Sequence, residues 1–300
     1  MQHVQTLKRK MTKTFTHFVG IDWSGAKGSR HPGIAVAVCG EGNAAPNLIG
    51  PPSGRVVWSR QECVDWIAGG CGLPNGAQGL VGMDSAFSMP FMDKGFYLND
   101  ELSAQHALEL WQEVESICQH DTDLYGGAFV EAYQDHYLQT GTRGAHYQRR
   151  MRVTETCAVD SGAGPCESVF HLIGPSQVGL AGLSTVRMLA QISVNSSIAV
   201  WPYDEGATAS IVLAEIYAAA FAALGGHRGK VRDRTSLNKI LSSLDSKPFR
   251  KRNVTLTDHV CDALVTSAAL RLISGDRKYW HPDALSTKVR ETEGWVLGIL

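Results

Sequence analysis

Hydrophobic positions repeat with a period of two near the start of the chain and with a period near 3.6 further on. Residues 17–40 hold two β-rich runs separated by a loop of Gly, Ser, Lys and Pro, the pattern of two antiparallel strands, and the first run stops at Asp22. Residues 55–59 (RVVWS) predict a third strand, and residues 61–68 a short amphipathic helix ended by a Gly-rich turn. Residues 79–84 (GLVGMD) form an apolar run of buried-strand type that again ends in an aspartate. Helical periodicity follows around Leu102, Leu108, Leu110, Val114 and Ile117. Residues 162–182 read as loop with a helix start near Ser176, followed by a helix over 183–193 and a short strand over 197–203. Residues 211–217 (IVLAEIY) fit either a strand or the first turns of a helix running on to 224, because periodicity cannot decide so short a run. Residues 257–274 predict a helix with Thr257 as N-cap and Gly275 as its stop.

Composition adds a core and restricts location. A chain of 300 residues with 44% hydrophobic content can bury a substantial core. Residues 1–16 read as a flexible tail, basic at Lys8, Arg9, Lys10 and Lys13 but without the apolar stretch of a signal peptide. Residues 17–300 read as one domain. Its longest apolar stretch, 211–224, contains Glu215 and falls short of the roughly 20 residues a bilayer requires, so no membrane segment is expected. Seven scattered cysteines with no CxxC pair fit a reduced, cytoplasmic setting.

The net charge of −1 excludes a uniformly basic nucleic-acid coat, but charge is unevenly placed. Residues 84–135 carry eleven acidic side chains against one basic one, Lys94, and predict a helical insertion at about 90–150 with an acidic face. The sign reverses over 143–152, and residues 227–252 hold nine Lys or Arg against Asp233 and Asp245.

Asp22 and Asp84 each close an apolar strand. If those strands run parallel in one sheet, both carboxylates emerge at the edge where α/β sites lie. Converging carboxylates repel unless a cation neutralises them, and hard oxygen donors of this kind suit Mg²⁺ or Mn²⁺. Two such ions about 3.5–4 Å apart can activate water and stabilise the leaving oxygen of a phosphodiester. Asp258 and Asp262 lie four apart on one helical face, and Asp262 sits among apolar neighbours, where an ionised carboxylate is costly without a partner. Glu215, in its own apolar run, is a candidate fourth ligand or water-orienting group. Each has a plainer reading: strand-end aspartates form turns, Asp258 favours a helix dipole, and Glu215 could face solvent on an amphipathic helix.

The segments VGIDWSGAK, VGMDSAFSMP, ESVFHLIGPSQVGLAGL, VWPYD, AEIYAAAF, DHVCDAL and EGWVLGIL, in this order, resemble the family catalogued as domain of unknown function four-two-nine, regarded as nucleases of ribonuclease H-like fold. The DxxxDAL segment is also similar to the last helix of Holliday-junction resolvases. The resemblance implies a mixed sheet of order 3-2-1-4-5 flanked by helices, with Asp22, Asp84, Asp258 and Asp262 as metal ligands. It places Glu215 where such families show an E-x-Y-P pattern; here Ala218 replaces the proline, and the two helix aspartates are spaced by four where the resolvases use three.

A nuclease needs cationic surface beside its carboxylates. The candidates are Arg149, Arg150 and Arg152 in the first basic stretch and Arg228, Lys230, Arg250, Lys251 and Arg252 in the second, with Tyr147 and Phe249 as possible stacking platforms. The alternative is a solvated face that balances the acidic insertion. The loop over 174–182 could receive a phosphate at a helix start. Cys157, Cys166 and His171, like Cys118 and His120, lack zinc spacing. Two other functions remain open: a non-catalytic nucleic-acid or protein-binding module, and an actin-like phosphotransferase using DSGAG (160–164) as a second phosphate loop.

Overall fold

The computed structural model describes residues 13–98, 101–160, 163–174, 178–204 and 208–300. Most of the expected tail, residues 1–12, lies outside them, as does Ser176. A mixed six-stranded sheet flanked by helices organises the chain. Strand β1 (His17–Asp22) pairs antiparallel with β2 (Ala35–Gly40), which pairs antiparallel with β3 (Asn47–Ile49). On its other side β1 runs parallel to β4 (Gly79–Asp84), which is parallel to β8 (Ile211–Glu215), itself parallel to the edge strand β7 (Ile198–Trp201). The order is therefore 3-2-1-4-8-7. Strands β5 (Leu138–Gln139) and β6 (Thr142–Arg143) form a separate two-stranded hairpin.

Two expectations are corrected. The expected order 3-2-1-4-5 holds for its first four strands, but β7, the next main-sheet strand in sequence, takes the outer edge and β8 inserts beside β4. The third strand is β3, not residues 55–59. Val56 is almost fully exposed, and this segment instead gives backbone carbonyls to the β1–β2 loop: Trp58 O accepts from His31 N and Val57 O from Arg30. The ambiguous run over 211–224 resolves into both alternatives, β8 followed by α6 (Ala218–Leu224).

Helices cover both faces. On one lie α1 (Arg60–Ala68), α2 (Ala107–Cys118) and α5 (Gly179–Ile192), packed against Val19, Ile21, Val81, Met83 and Leu213. On the other, α6, α7 (Arg234–Ser243) and α8 (Asp258–Ile273) pack against Phe18, Leu80, Val212 and Ala214. The alternation of strand residues between the two clusters is the period-two pleat. Thr257 caps α8 by accepting from Val260 N at 3.2 Å. No helix among the described residues is long and apolar enough to cross a membrane.

Helix α8 lies unusually close to the sheet because Gly20 and Gly82, register neighbours on β1 and β4, present no side chain beneath it. A Cβ on Gly20 would sit 2.3 Å from Ala263 O and 2.8 Å from Ser267 N; one on Gly82 would meet Leu270 Cδ1 at 2.9 Å. Gly20→Ala therefore forces α8 away and should lower the melting temperature by roughly 5–10 °C, since overpacking costs about 1–3 kcal/mol and each kcal/mol moves a domain of this size by about 2–4 °C. Gly40→Ala, which would meet nothing within 4 Å, is the control and should change little. Equal melting of both variants with the wild type would sink the close-packing account.

Candidate active site

Asp22 and Asp84 stand side by side in register at the carboxyl ends of two parallel strands, each two residues beyond its glycine and on the same face. That face is the one α8 covers. The glycine floor lets the helix descend far enough that Asp262 feels the charge of Asp22 and acts in turn on Asp84. Asp22 is buried, while Asp84 and Asp262 remain partly open to solvent.

Burial first, and neighbouring groups second, show in their ionisation. Burial is the largest cause raising Asp22, opposed by the hydrogen bond and charge of His259 and then by the Lys230 charge. Burial also holds Asp84 well above the usual carboxylate range, with Asp22 and Asp262 pushing the same way and the Ala218 amide and Lys230 opposing. Asp262 is pushed up to about 7, first by burial and then by Asp22. Lys230 is the cation common to all three.

Asp258 sits at the rim and is held otherwise. Arg232 binds it at 3.1 Å and Lys230 at 3.5 Å, and these contacts keep its carboxyl low although burial opposes them. It anchors two cations beside the cluster. His259 was not expected: its Nδ1 lies 3.2 Å from Asp22 Oδ1, and this hydrogen bond is the main reason its pKa is raised. The signal was available, because residues 258, 259 and 262 of one helix share a face by their three- and four-residue spacing.

Glu215 is not brought into the cluster. Its register partner on β4 is Met83, so it projects to the opposite face from Asp84. There both of its oxygens accept from Arg152, Oε2 at 2.8 Å, and Oε2 also accepts from Phe87 N at 2.9 Å. Arg152 is fully enclosed, bonded in addition to Glu155, which is itself buried, and to the Glu293 carbonyl.

The basic candidates divide. Arg152 is a core ion-pair residue. Arg150 is buried, donating to both oxygens of Asp93 and to the carbonyls of Pro90, Phe96 and Tyr97. Neither is a surface contact for a polyanion, because unsolvated guanidinium groups need several fixed acceptors and both have them. Arg149 is exposed but paired with Glu167 at 2.8 Å. Arg228, Lys230, Arg250, Lys251 and Arg252 are all exposed, on the stretch that reaches the carboxylates through Lys230. Phe249 is buried, with Arg234 over its ring at 5.5 Å, so it is no platform for a base; Tyr147 is partly exposed under Arg143. In the 174–182 loop, residues 175–177 lie outside the described residues, as do 161–162 of DSGAG.

Three hard carboxylate oxygen donors, all with pKa values raised first by burial, suit a Mg²⁺ or Mn²⁺ ion in chemical type. Among the described residues no three His, Cys, Asp or Glu side chains already stand in a metal-holding array, so the fit is one of donor chemistry and placement. No family model, curated protein or solved structure matches the chain.

Asp262 ionises near 3.8 ordinarily and near about 7 in the folded chain. Between those values the folded state keeps a proton the unfolded state has released, so stability falls as pH rises across that window and levels off above it. Asp262→Asn should therefore melt higher than the wild type at pH 8 in EDTA and show a shallower decline between about pH 4 and pH 7. An unchanged slope would mean that Asp262 ionises freely in the fold. Glu215→Ala, by contrast, strips a buried arginine of its bidentate partner and should cost roughly 3–5 kcal/mol in urea unfolding.

Proposed function

We propose that the chain is a divalent-metal-dependent nuclease that hydrolyses phosphodiester bonds in nucleic acid, built on a ribonuclease H-like core. The observation that supports this reading is the side-by-side register of Asp22 and Asp84, with Asp262 and Lys230 within electrostatic reach of them. The antiparallel β3–β2–β1 unit with β4 parallel to β1 supports the core assignment, β8 taking the position expected of a fifth strand and β7 extending the edge.

In this reading Asp22, Asp84 and Asp262 hold the metal. Bound Mg²⁺ or Mn²⁺ supplies a water of lowered pKa and neutralises charge on the phosphate oxygens. The chain's own residues do the rest. Lys230, Arg232 and the exposed Arg250, Lys251 and Arg252 attract the sugar-phosphate backbone, and the Asp258 contacts hold Lys230 and Arg232 at the rim. His259 orients the Asp22 carboxylate through its Nδ1. Such an outer partner fixes a ligand's direction and matters at the level of about 10–100-fold in affinity or activity.

A second reading, a non-catalytic nucleic-acid or protein-binding module, is favoured by one observation: the carboxylates are not already arrayed around a metal-sized position among the described residues. One experiment separates the two. RNA, single-stranded DNA and branched DNA are incubated with the full chain in Mg²⁺, Mn²⁺ or EDTA, beside Asp22→Asn, Asp84→Asn and Asp262→Asn. The nuclease reading expects metal-dependent cleavage lost by roughly 100-fold or more in each variant, at least the loss seen when only a ligand's outer partner is removed. Binding without cleavage in every arm supports the module, and cleavage that survives Asp22→Asn refutes the proposed site. Lys230→Gln should weaken binding on all sequences alike and reduce the salt slope of log K by about 1.

A further inference from the structure

On the sheet face away from the carboxylates, a hollow of about 690 Å³ opens between α1, α2, α5 and the β1–β2 loop. Its size is that of a small-molecule site, but its lining is not the usual one. Such sites are mostly apolar, whereas here Leu124 is the single aliphatic residue in the wall and no aromatic ring is present. Burial of apolar surface can contribute little, so recognition has to come from charge and hydrogen bonds.

Most carboxylate oxygens in the wall are already engaged, although Asp121 uses only one of its two. Asp123 accepts from His31, Arg60 N and Gln61 N; Asp121 accepts from Ala128 N; Glu115 is held by the buried Arg187. Of the three arginines in the lining, Arg187 is engaged but Arg30 and Arg55 keep free donors. Arg30 makes its bonds, to Val57 O and Glu62, through Nη1 alone, which leaves Nε and Nη2 uncommitted. Arg55 is exposed and has no partner among the described residues. The uncommitted guanidinium nitrogens of Arg30 and Arg55 give the hollow donors in a fork geometry that matches phosphate. The lining also holds Ser29, Thr122 and the amides of Gln61, Gln119 and Gln191; Gln61 Nε2 already donates to Asp65 and Gln191, and Gln119 Nε2 to Ser116 O, while the amide nitrogen of Gln191 keeps its donors. Hydroxyls and amides both donate and accept, which complements the hydroxyls of a polyol. With no ring to stack on a nucleobase, a base is poorly served.

We propose that this hollow binds a small phosphorylated polyol of the sugar-phosphate class, its phosphate gripped by Arg30 and Arg55 and its hydroxyls by the serine, threonine and glutamine side chains. The site is separate from the carboxylate cluster and independent of the nuclease reading.

Thermal melting of the full chain in EDTA tests it, with ribose 5-phosphate, ribose, inorganic phosphate and citrate as probes. Ribose 5-phosphate should raise the melting temperature by roughly 5–10 °C at a hundredfold excess over its Kd. Inorganic phosphate should give a smaller rise and ribose none. The rise should disappear in Arg30→Gln/Arg55→Gln and weaken in Arg55→Gln alone, a change that removes a side chain without a partner and leaves the fold intact. The proposal is overturned if ribose 5-phosphate has no effect, if ribose matches it, or if the rise survives the double substitution. Citrate matching it would overturn the phosphate assignment, and inorganic phosphate matching it would overturn the polyol assignment.

Discussion

The close approach of α8 to the glycine floor of β1 and β4 is the constraint on which the carboxylate corner depends. Gly20 and Gly82 occupy the same register, and Asp22 and Asp84 follow two residues later on the same face. Absence of a Cβ at the first pair of positions lets the helix sit low; the second pair then comes within electrostatic reach of Asp262. Lift the helix away and the three carboxylates lose both the burial that chiefly raises their pKa values and the like-charge repulsion that acts on Asp84 and Asp262. The repeated G-x-D of the two strands thus couples a packing requirement to an electrostatic one, and the strain of like charges is the feature that a cation would relieve.

Charge is partitioned by burial. Arg60, Arg150, Arg152 and Arg187 are nearly enclosed, and each is satisfied by carbonyls and carboxylates from distant segments. Arg60 binds Ser24 O, Ala26 O and Asp123 O, which fixes the loop immediately after Asp22; burial lowers its pKa to about 10, so its charge persists at neutral pH. The acidic stretch between β4 and the hairpin supplies several of these partners, Asp93, Glu115 and Asp123 among them. What looks along the chain like an acidic surface facing a basic one is in part an internal set of ion pairs. The cations left at the surface near the carboxylates come from the stretch before α8.

Much of this was legible locally. The strands ending at Asp22 and Asp84, the helix entered through Thr257, and the shared face of Asp258 and Asp262 all follow from periodicity and capping, which act over a few residues. The parallel pairing that makes Asp22 and Asp84 neighbours was a condition the sequence left open, and the sheet supplies it. His259 was within reach of the same helical spacing. The third strand was misplaced because two valines resemble strand sequence more than Asn47–Ile49 does, and the choice was made by which segment found the free edge of β2.

The remaining assignments turn on neighbours that are far apart in sequence. Glu215 faces away from the carboxylates because β8 pairs with β4 in the register that sets it opposite Met83, and a shift of one residue would have reversed the face. Arg150 and Arg152 are structural because Asp93 and Glu215 reach them across the fold, while Lys230 borders the site because α7 and α8 bring it there. Local pattern fixes which residues carry charge and where strands and helices begin. Only tertiary packing decides which charges are desolvated and paired and which remain free, because that energy depends on the distance between groups in space.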